Sequence, residues 1–300
     1  MESIIAPIDR ELLKKELTEE NFLRKTNKAN NLIYIFNGAT SPNLMLEVGR
    51  LREEAFRDAG GGTGKSYDID DYDTAEGGYI QLIVWDPEVE EILGGYRYII
   101  PRCTEPKYLS TEHYFEFSKK FRKKYLPWTM ELGRSFVQTK YQQRGNFKAL
   151  FALDNLWDGL GTVINRNPDI QYLFGKVTMY SNYNAEARNM LIHFLRMYFP
   201  DRNKLMTSKF PSDFVIDEEA MAKIFVGRDY MENYKILSRT VRNFEEVIPP
   251  LINAYMSLSP TMKVFDTAMN NDFGGVEETG ILITIGDLYK EKVARHFAEN

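Results

Sequence analysis

Two apolar runs, YIQLIVW at 79–85 and ILGGYRYI at 92–99, flank the segment DPEVEE. Both are rich in β-branched and aromatic residues, and the Asp86-Pro87 pair favours a turn. The pattern predicts an antiparallel hairpin with a longer turn, which commits the chain to a sheet. A further short strand is expected at 31–36, ended by Asn37-Gly38. After Pro42, the residues Leu44, Val48, Leu51, Ala55 and Phe56 recur at helical spacing and glycines follow, so a helix is expected there. WTMELGRSFV after Pro127, residues 172–179, and residues 262–266 and 280–285 read as strands. Residues 9–30, 111–125, 146–160, 185–198 and 249–258 read as helices, while 200–245 carries no clear period. There is no internal repeat. The expectation is one mixed α/β domain over 31–300, with an N-terminal helical extension over 1–30 and a helical insertion around 185–250.

Three hundred residues with 43% apolar side chains suffice for a sizeable core and argue against disorder. The 38 Lys and Arg against 43 Asp and Glu leave a net charge of −5, which argues against a general nucleic-acid binder. Cys103 is the single cysteine, so one chain cannot form a disulfide, a cysteine zinc cluster or an iron–sulfur ligand set. His113, His193 and His296 are scattered, and no metal site is expected. The N-terminus is charged, unlike a secretory signal, and no run approaches the roughly 18 apolar residues of a spanning helix. The expected location is cytoplasmic.

Two segments invite an anion. AGGGTGKS at 59–66 ends like a phosphate-binding loop, but Ala59 stands where the first glycine is required. A helix precedes it instead of a strand, and the acidic DIDDYD follows, which would repel a polyphosphate. It reads as a glycine-rich surface loop. FVQTKYQQRGNFKALFAL at 136–153 has the better context: a strand, a donor-rich turn, then an amphipathic helix whose N-terminal amides face an incoming anion. Arg144 and Lys148 add positive charge there.

This second segment resembles the acyl-CoA-binding turn of the GNAT acetyltransferase superfamily, [Q/R]-x-x-G-x-[G/A]. Gln142 and Gly145 match, Asn146 fills the variable position after Gly145, and Val137 matches the hydrophobic end of the family's central strand. Phe147 departs from the last position, which is compatible with a phosphopantetheine arm on a carrier protein. Arg52 in LREEAF, Asp70-x-Tyr72-Asp73 after Asp68, Arg97 in GGYRYI, and Glu131-x-x-Arg134 resemble the ordered signature of acyl-homoserine-lactone synthases and the related ornithine-lipid N-acyltransferases. YLFGKVTM at 172–179 and PPLINAY at 249–255 resemble later blocks of the ornithine-lipid, hemolysin-like branch. That branch usually has a histidine after the Asp-Tyr/Phe-Asp block; AEGGYIQL stands here, so a small acceptor such as glycine stands beside ornithine.

The resemblance implies a GNAT-like, mostly antiparallel sheet flanked by helices. It also implies a long-chain acyl group passed from acyl carrier protein to the amine of an amino acid, with no tightly bound cofactor and no metal. An acyl-CoA or acetyl-CoA-dependent acetyltransferase, or a silent carrier- or lipid-binding module, is the alternative. Direct attack on a thioester needs a neutral amine and a polarised carbonyl, and Glu131 is the expected base. Arg134, three residues on, falls on the opposite face of a regular strand, unless a bulge alters the alternation. It then holds the acceptor carboxylate or organises the acidic loop; a structural ion pair is the alternative for both residues. Asp70 and Asp73 would recognise the cationic amine, with Arg97 near the same cleft; Arg52 would line the cleft or pair with an acid, and Tyr72 would pack the acyl chain or donate a hydrogen bond. Residues 67–93 carry nine acids and no Lys or Arg, whereas 102–148 carry eleven bases and four acids. The basic segment suits an acidic carrier, and a lipid product implies peripheral contact with the inner membrane surface.

Overall fold

The computed structural model describes residues 1–104, 109–142 and 147–297. Its strands are β1 (Phe22–Lys25), β2 (Leu32–Asn37), β3 (Ile80–Asp86), β4 (Glu91–Ile99), β5 (Phe115–Phe117), β6 (Thr129–Val137), β7 (Tyr172–Met179), β8 (Met206–Ser208), β9 (Lys263–Asn270) and β10 (Val276–Thr284). Eight form one sheet in the order β1-β2-β3-β4-β6-β7-β10-β9, and β5 pairs with β8 in a separate ribbon. Every neighbouring pair in the large sheet is antiparallel except β6–β7. The expected hairpin is β3–β4, with Ile80 opposite Tyr98 and Asp86 opposite Glu91.

The helices are α1 (Arg10–Glu16), α2 (Pro42–Asp58), α3 (Asp71–Thr74), α4 (Pro101–Thr104), α5 (Lys119–Lys124), α6 (Phe147–Asn165), α7 (Ala185–Tyr198), α8 (Glu218–Ile224), α9 (Tyr230–Arg242), α10 (Pro250–Met256) and α11 (Lys290–His296). No helix among the described residues is long and apolar enough to cross a membrane. Two readings need correction. Residues 9–30 are helical only over Arg10–Glu16; Phe22–Lys25 becomes the edge strand, because Leu23 buries itself in the sheet's core. Residues 111–125 are broken by β5, because Phe115 and Phe117 alternate inward beside β8 while Glu116 stays exposed. The unassigned stretch 200–245 supplies β8, α8 and α9.

On one face of the sheet, α6 packs Leu156, Trp157 and Leu160 against Leu82, Tyr96 and Met130. The opposite face is divided. Toward one side, α2 packs Leu44, Val48 and Leu51 against Phe36, Ile83 and Phe136. Toward the other, Phe117 and Phe121 pack on Phe174 and Phe265. Between these two apolar clusters, residues of the same period-2 register are polar: Gln81 lies between Tyr79 and Ile83, and Lys176 and Thr178 lie between Phe174 and Tyr180. In the same register Glu278 lies between Leu282 and Val276. A polar seam therefore crosses the sheet.

Candidate active site

The seam begins at the acidic loop. Asp70 precedes the single turn α3, and its N–H donates to Asp73 Oδ2 (3.2 Å). Arg52 Nη1 donates to both oxygens of Asp73 (3.1 Å each), Gln81 Nε2 donates to Oδ1 (2.9 Å), and Arg97 Nη1 lies 3.1 Å away. Burial alone would raise the Asp73 carboxyl, but Arg52 and Arg97 hold it well below the ordinary carboxylate range. Of the two expectations for Arg52 the structure has the acid pair: Arg52 and Asp73, the latter expected to meet the amine, are fully enclosed and spend their charge on each other. They and the 3%-exposed Arg97 brace the loop. Asp70, 30% exposed, accepts from Arg97 Nη1 at 2.7 Å and stays at the surface of the cleft with half-buried Tyr72. The Arg97 guanidinium lies over the rings of Tyr72 and Tyr79.

Glu131 is wholly buried at the middle of the seam. Its Oε1 accepts four hydrogen bonds: from Tyr79 Oη (2.8 Å), Ser110 Oγ (2.7 Å), Thr111 Oγ1 (2.8 Å) and Thr111 N (3.1 Å). Its Oε2 has no hydrogen-bond partner among the described residues. No cation is among these contacts. Burial pushes the Glu131 carboxyl above its ordinary value of 4.5, and the surrounding donors offset only part of that. Burial, reinforced by Glu131, drives Tyr79 far above its ordinary value, so it remains a donor.

Strand β6 carries a bulge. Ile99, Tyr98 and Arg97 pair with Glu131, Leu132 and Gly133, whereas Gly95 and Gly94 pair with Phe136 and Val137. One extra residue is accommodated between them, and Arg134 takes φ +50°. The lost alternation turns Arg134 toward the acidic loop instead of the opposite face. Its Nε lies 3.1 Å from Asp68 Oδ2, its Nη2 lies 3.6 Å from Asp70 Oδ2, and the guanidinium covers Phe273. The Asp68 carboxylate is itself buried with no hydrogen bond among the described residues, and burial raises its pKa despite Arg134.

At the same level the two parallel strands part. Pairing runs from Thr129–Tyr172 to Leu132–Gly175 and stops. Gly175 permits that last close approach, since a Cβ there would meet the Leu132 carbonyl at 2.6 Å. Beyond it, the facing edges of β6 and β7 have no ladder partner, leaving a wedge in which an extended arm can take strand-like hydrogen bonds. An apolar pocket at the apex is bounded by Leu132, Leu173, Val177, Tyr255 and Ile281, with about 10 Å³ of free space, close to one water.

The expected donor turn follows β6. Gln142 Nε2 donates to the Val137 carbonyl (2.7 Å), which folds the chain back at the strand's end. Arg144, Gly145 and Asn146 lie outside the described residues, and Phe147 and Lys148 are described only as the first backbone positions of α6. The glycine-rich 59–66 loop holds an internal anion: Thr63 N (3.0 Å) and Gly64 N (2.8 Å) donate to the Glu53 carboxylate. Burial opposes the charge of Glu53, but these donors, the Thr63 hydroxyl and Arg57 hold its pKa below the ordinary value.

The far end of the seam escaped the sequence reading. Lys176 Nζ lies 2.8 Å from Glu278 Oε1, which also accepts from Asn270 Nδ2 (3.0 Å), while Thr178 Oγ1 donates to Oε2 (3.1 Å). Burial would raise Glu278, but Lys176 and Asn270 lower it. The only sequence signal for these residues, and for Gln81, was a polar side chain at an inward position of an apolar strand. Ser110 and Thr111 gave none.

The acetyltransferase (GNAT) domain family matches residues 51–152, the span from Arg52 past the turn after β6. The chain is 52% identical over 302 residues to the glycine N(alpha)-acyltransferase of Phocaeicola vulgatus, covering 99% of this chain and 93% of that protein. It is 53% identical over 304 residues to the glycine N(alpha)-acyltransferase of Bacteroides thetaiotaomicron, covering 99% and 90%. A crystal structure of an aminoglycoside 6'-N-acetyltransferase complexed with coenzyme A superposes with a TM-score of 0.38 at 10% identity, covering 84% of this chain and 96% of that one.

Proposed function

Since this chain belongs to the glycine N(alpha)-acyltransferase family, with a GNAT domain, and is an acyltransferase, we propose that it joins a long-chain acyl group to the amine of glycine. The donor in this reading is an acyl carrier protein thioester, and the product is the head of an amino-acid lipid. The observation that carries the reading is the free, buried Oε2 of Glu131 on the face where β6 and β7 part.

Glu131 accepts a proton from the glycine ammonium through Oε2, directly or across one water. Its raised pKa suits a base working near neutrality. The neutral nitrogen attacks the thioester carbonyl carbon, the C–N bond forms, and unpaired amides along β6 receive the developing oxyanion. The C–S bond then breaks, and the second proton shed by the attacking nitrogen passes to the departing thiolate, leaving the amide, the thiol and one proton on Glu131. Tyr79, Ser110 and Thr111 hold Glu131 in place, while Asp70 and Tyr72 meet the ammonium. Arg134, braced on Asp68, keeps the acidic loop against the wedge. Gln142 shapes the turn that receives the pantetheine arm, and the basic 102–148 segment draws in an acidic carrier.

The narrow apex pocket favours a second reading, transfer of a short acyl group from coenzyme A. The two are separated by incubating purified protein with acyl carrier and coenzyme A thioesters of graded length and a panel of amino acids, with products read by mass spectrometry. N-acylglycine from long-chain carrier thioesters is expected. Product only from acetyl-CoA establishes the second reading, and no product from any long-chain donor overturns the first.

A further inference from the structure

An amino-acid acceptor brings a carboxylate two bonds from its reacting nitrogen, so the site needs a cation with unspent donors close to the wedge. Four cations lie along the seam among the described residues. Arg52 and Arg97 are buried and committed to Asp73, Gln81 and Asp70. Arg134 is ion-paired with Asp68 and Asp70 and covered by the Phe273 ring, although its Nε makes no hydrogen bond among the described residues. Lys176 differs in its pairing: its one carboxylate partner is Glu278, and its ammonium rests over the Tyr114 ring. An ammonium has three N–H donors, so two are left for a ligand.

Its place in the fold is equally specific. Lys176 follows Gly175, the last residue of β7 paired with β6, and lies two residues beyond Phe174, which pairs with Glu131. The period of two puts Lys176 on the face that carries Glu131. Glu278 holds it and is itself held by Asn270 and Thr178. Asn270 Nδ2 is fixed by Glu278, which leaves the buried Asn270 Oδ1 as an acceptor without a partner beside the same cluster. Along the rest of the seam three guanidinium groups pair with Asp68, Asp70 and Asp73, and Glu131 adds a carboxyl with no cation, a surround that suits an ammonium. The amine and the carboxylate of one small zwitterion thus meet adjacent strands, β6 with Glu131 and β7 with Lys176.

We propose that Lys176 forms the carboxylate subsite for the amino-acid acceptor, orienting its amine toward Glu131. The inference rests on the amino-acid acyltransferase reading above. The test compares glycine with glycinamide, which keeps the amine and lacks the carboxylate, in the wild type, Lys176→Met, Lys176→Arg and the charge-balanced double variant Lys176→Met/Glu278→Gln. A charge-assisted hydrogen bond contributes a preference of roughly 10- to 100-fold. The wild type is therefore expected to favour glycine by that factor in kcat/KM. In Lys176→Met the preference collapses to within about threefold, through a higher KM for glycine with the acyl-donor KM unchanged, and Lys176→Arg restores part of it. The double variant gives the same collapse where the single variant folds poorly. A glycine preference that persists in both Met variants overturns this subsite. A wild type that acylates no amino acid overturns the underlying reading instead.

Discussion

Glu131 and Glu278 are both buried glutamates on one face of the same sheet, yet their surroundings drive them in opposite directions. Glu131 is held by three hydroxyls and one amide, all neutral, and its carboxyl rises above 4.5. Glu278 has a lysine ammonium, an amide and a hydroxyl, and its carboxyl falls below 4.5. Hydrogen bonds offset part of the cost of burying a carboxylate, whereas a full positive charge reverses it. The first glutamate is arranged to exchange a proton, with one oxygen left open, and the second is a fixed counter-anion. Burial by itself says nothing about which role a carboxylate takes.

Replacing Glu131 is expected to have the largest effect. Glu131→Gln should lower kcat by about 10²- to 10⁴-fold with little change in acyl-donor KM, measured in steady state. Unchanged turnover would remove Glu131 from the proton path. Glu278→Gln should instead act on stability, costing about 1–3 kcal/mol in denaturant unfolding at neutral pH, because Lys176 loses its counter-ion. The pH dependence sharpens the contrast. A lowered carboxyl stabilises the fold above its unfolded value of 4.5, and the contribution disappears as pH falls through the folded value. The deficit of Glu278→Gln should therefore shrink below pH 4.5. Glu131, raised by burial, favours the fold in acid and loses that advantage as pH rises through its folded value. A Glu278→Gln deficit constant with pH would contradict the assigned direction. Tyr79→Phe should have the smallest effect, about 1 kcal/mol in kcat/KM, because three donors still hold Oε1. Its pH–rate profile should also show a higher apparent pKa, as one stabilising donor to the carboxylate is gone.

Local pattern reached a good part of this molecule. The hairpin β3–β4, helix α7 and strand β7 follow directly from hydrophobic period and turn chemistry. The glycine-rich 59–66 loop failed the context of a phosphate loop, and Glu53 occupies the amides that a phosphate would need. Short elements were harder. The three residues of β5 and of β8 are too few to show a period, and each exists because the other pairs with it. The basic residues around Phe121 drew 111–125 toward a single helix, while Phe115 and Phe117 had a distant strand to join.

The candidate site divides along the same line. Glu131, Arg134, Asp70, Arg97 and Gln142 were marked by residue type and order along the chain, which the sequence carries in full. Arg52 and Asp73 were marked as well, but only their enclosure beside Gln81 and Arg97 decides that they brace the loop. The bulge at Arg134 depends on the register between β4 and β6, and the wedge depends on where β7 stops pairing. The hydroxyls on Glu131 and the Lys176–Glu278 pair join residues far apart in the chain. Sequence determined the longer strands and helices and which chemistry they carry, because periodicity and residue type are local. Tertiary structure alone decided which charges neutralise one another and which oxygen is left open, because ion pairs, burial and register depend on what lies across the sheet.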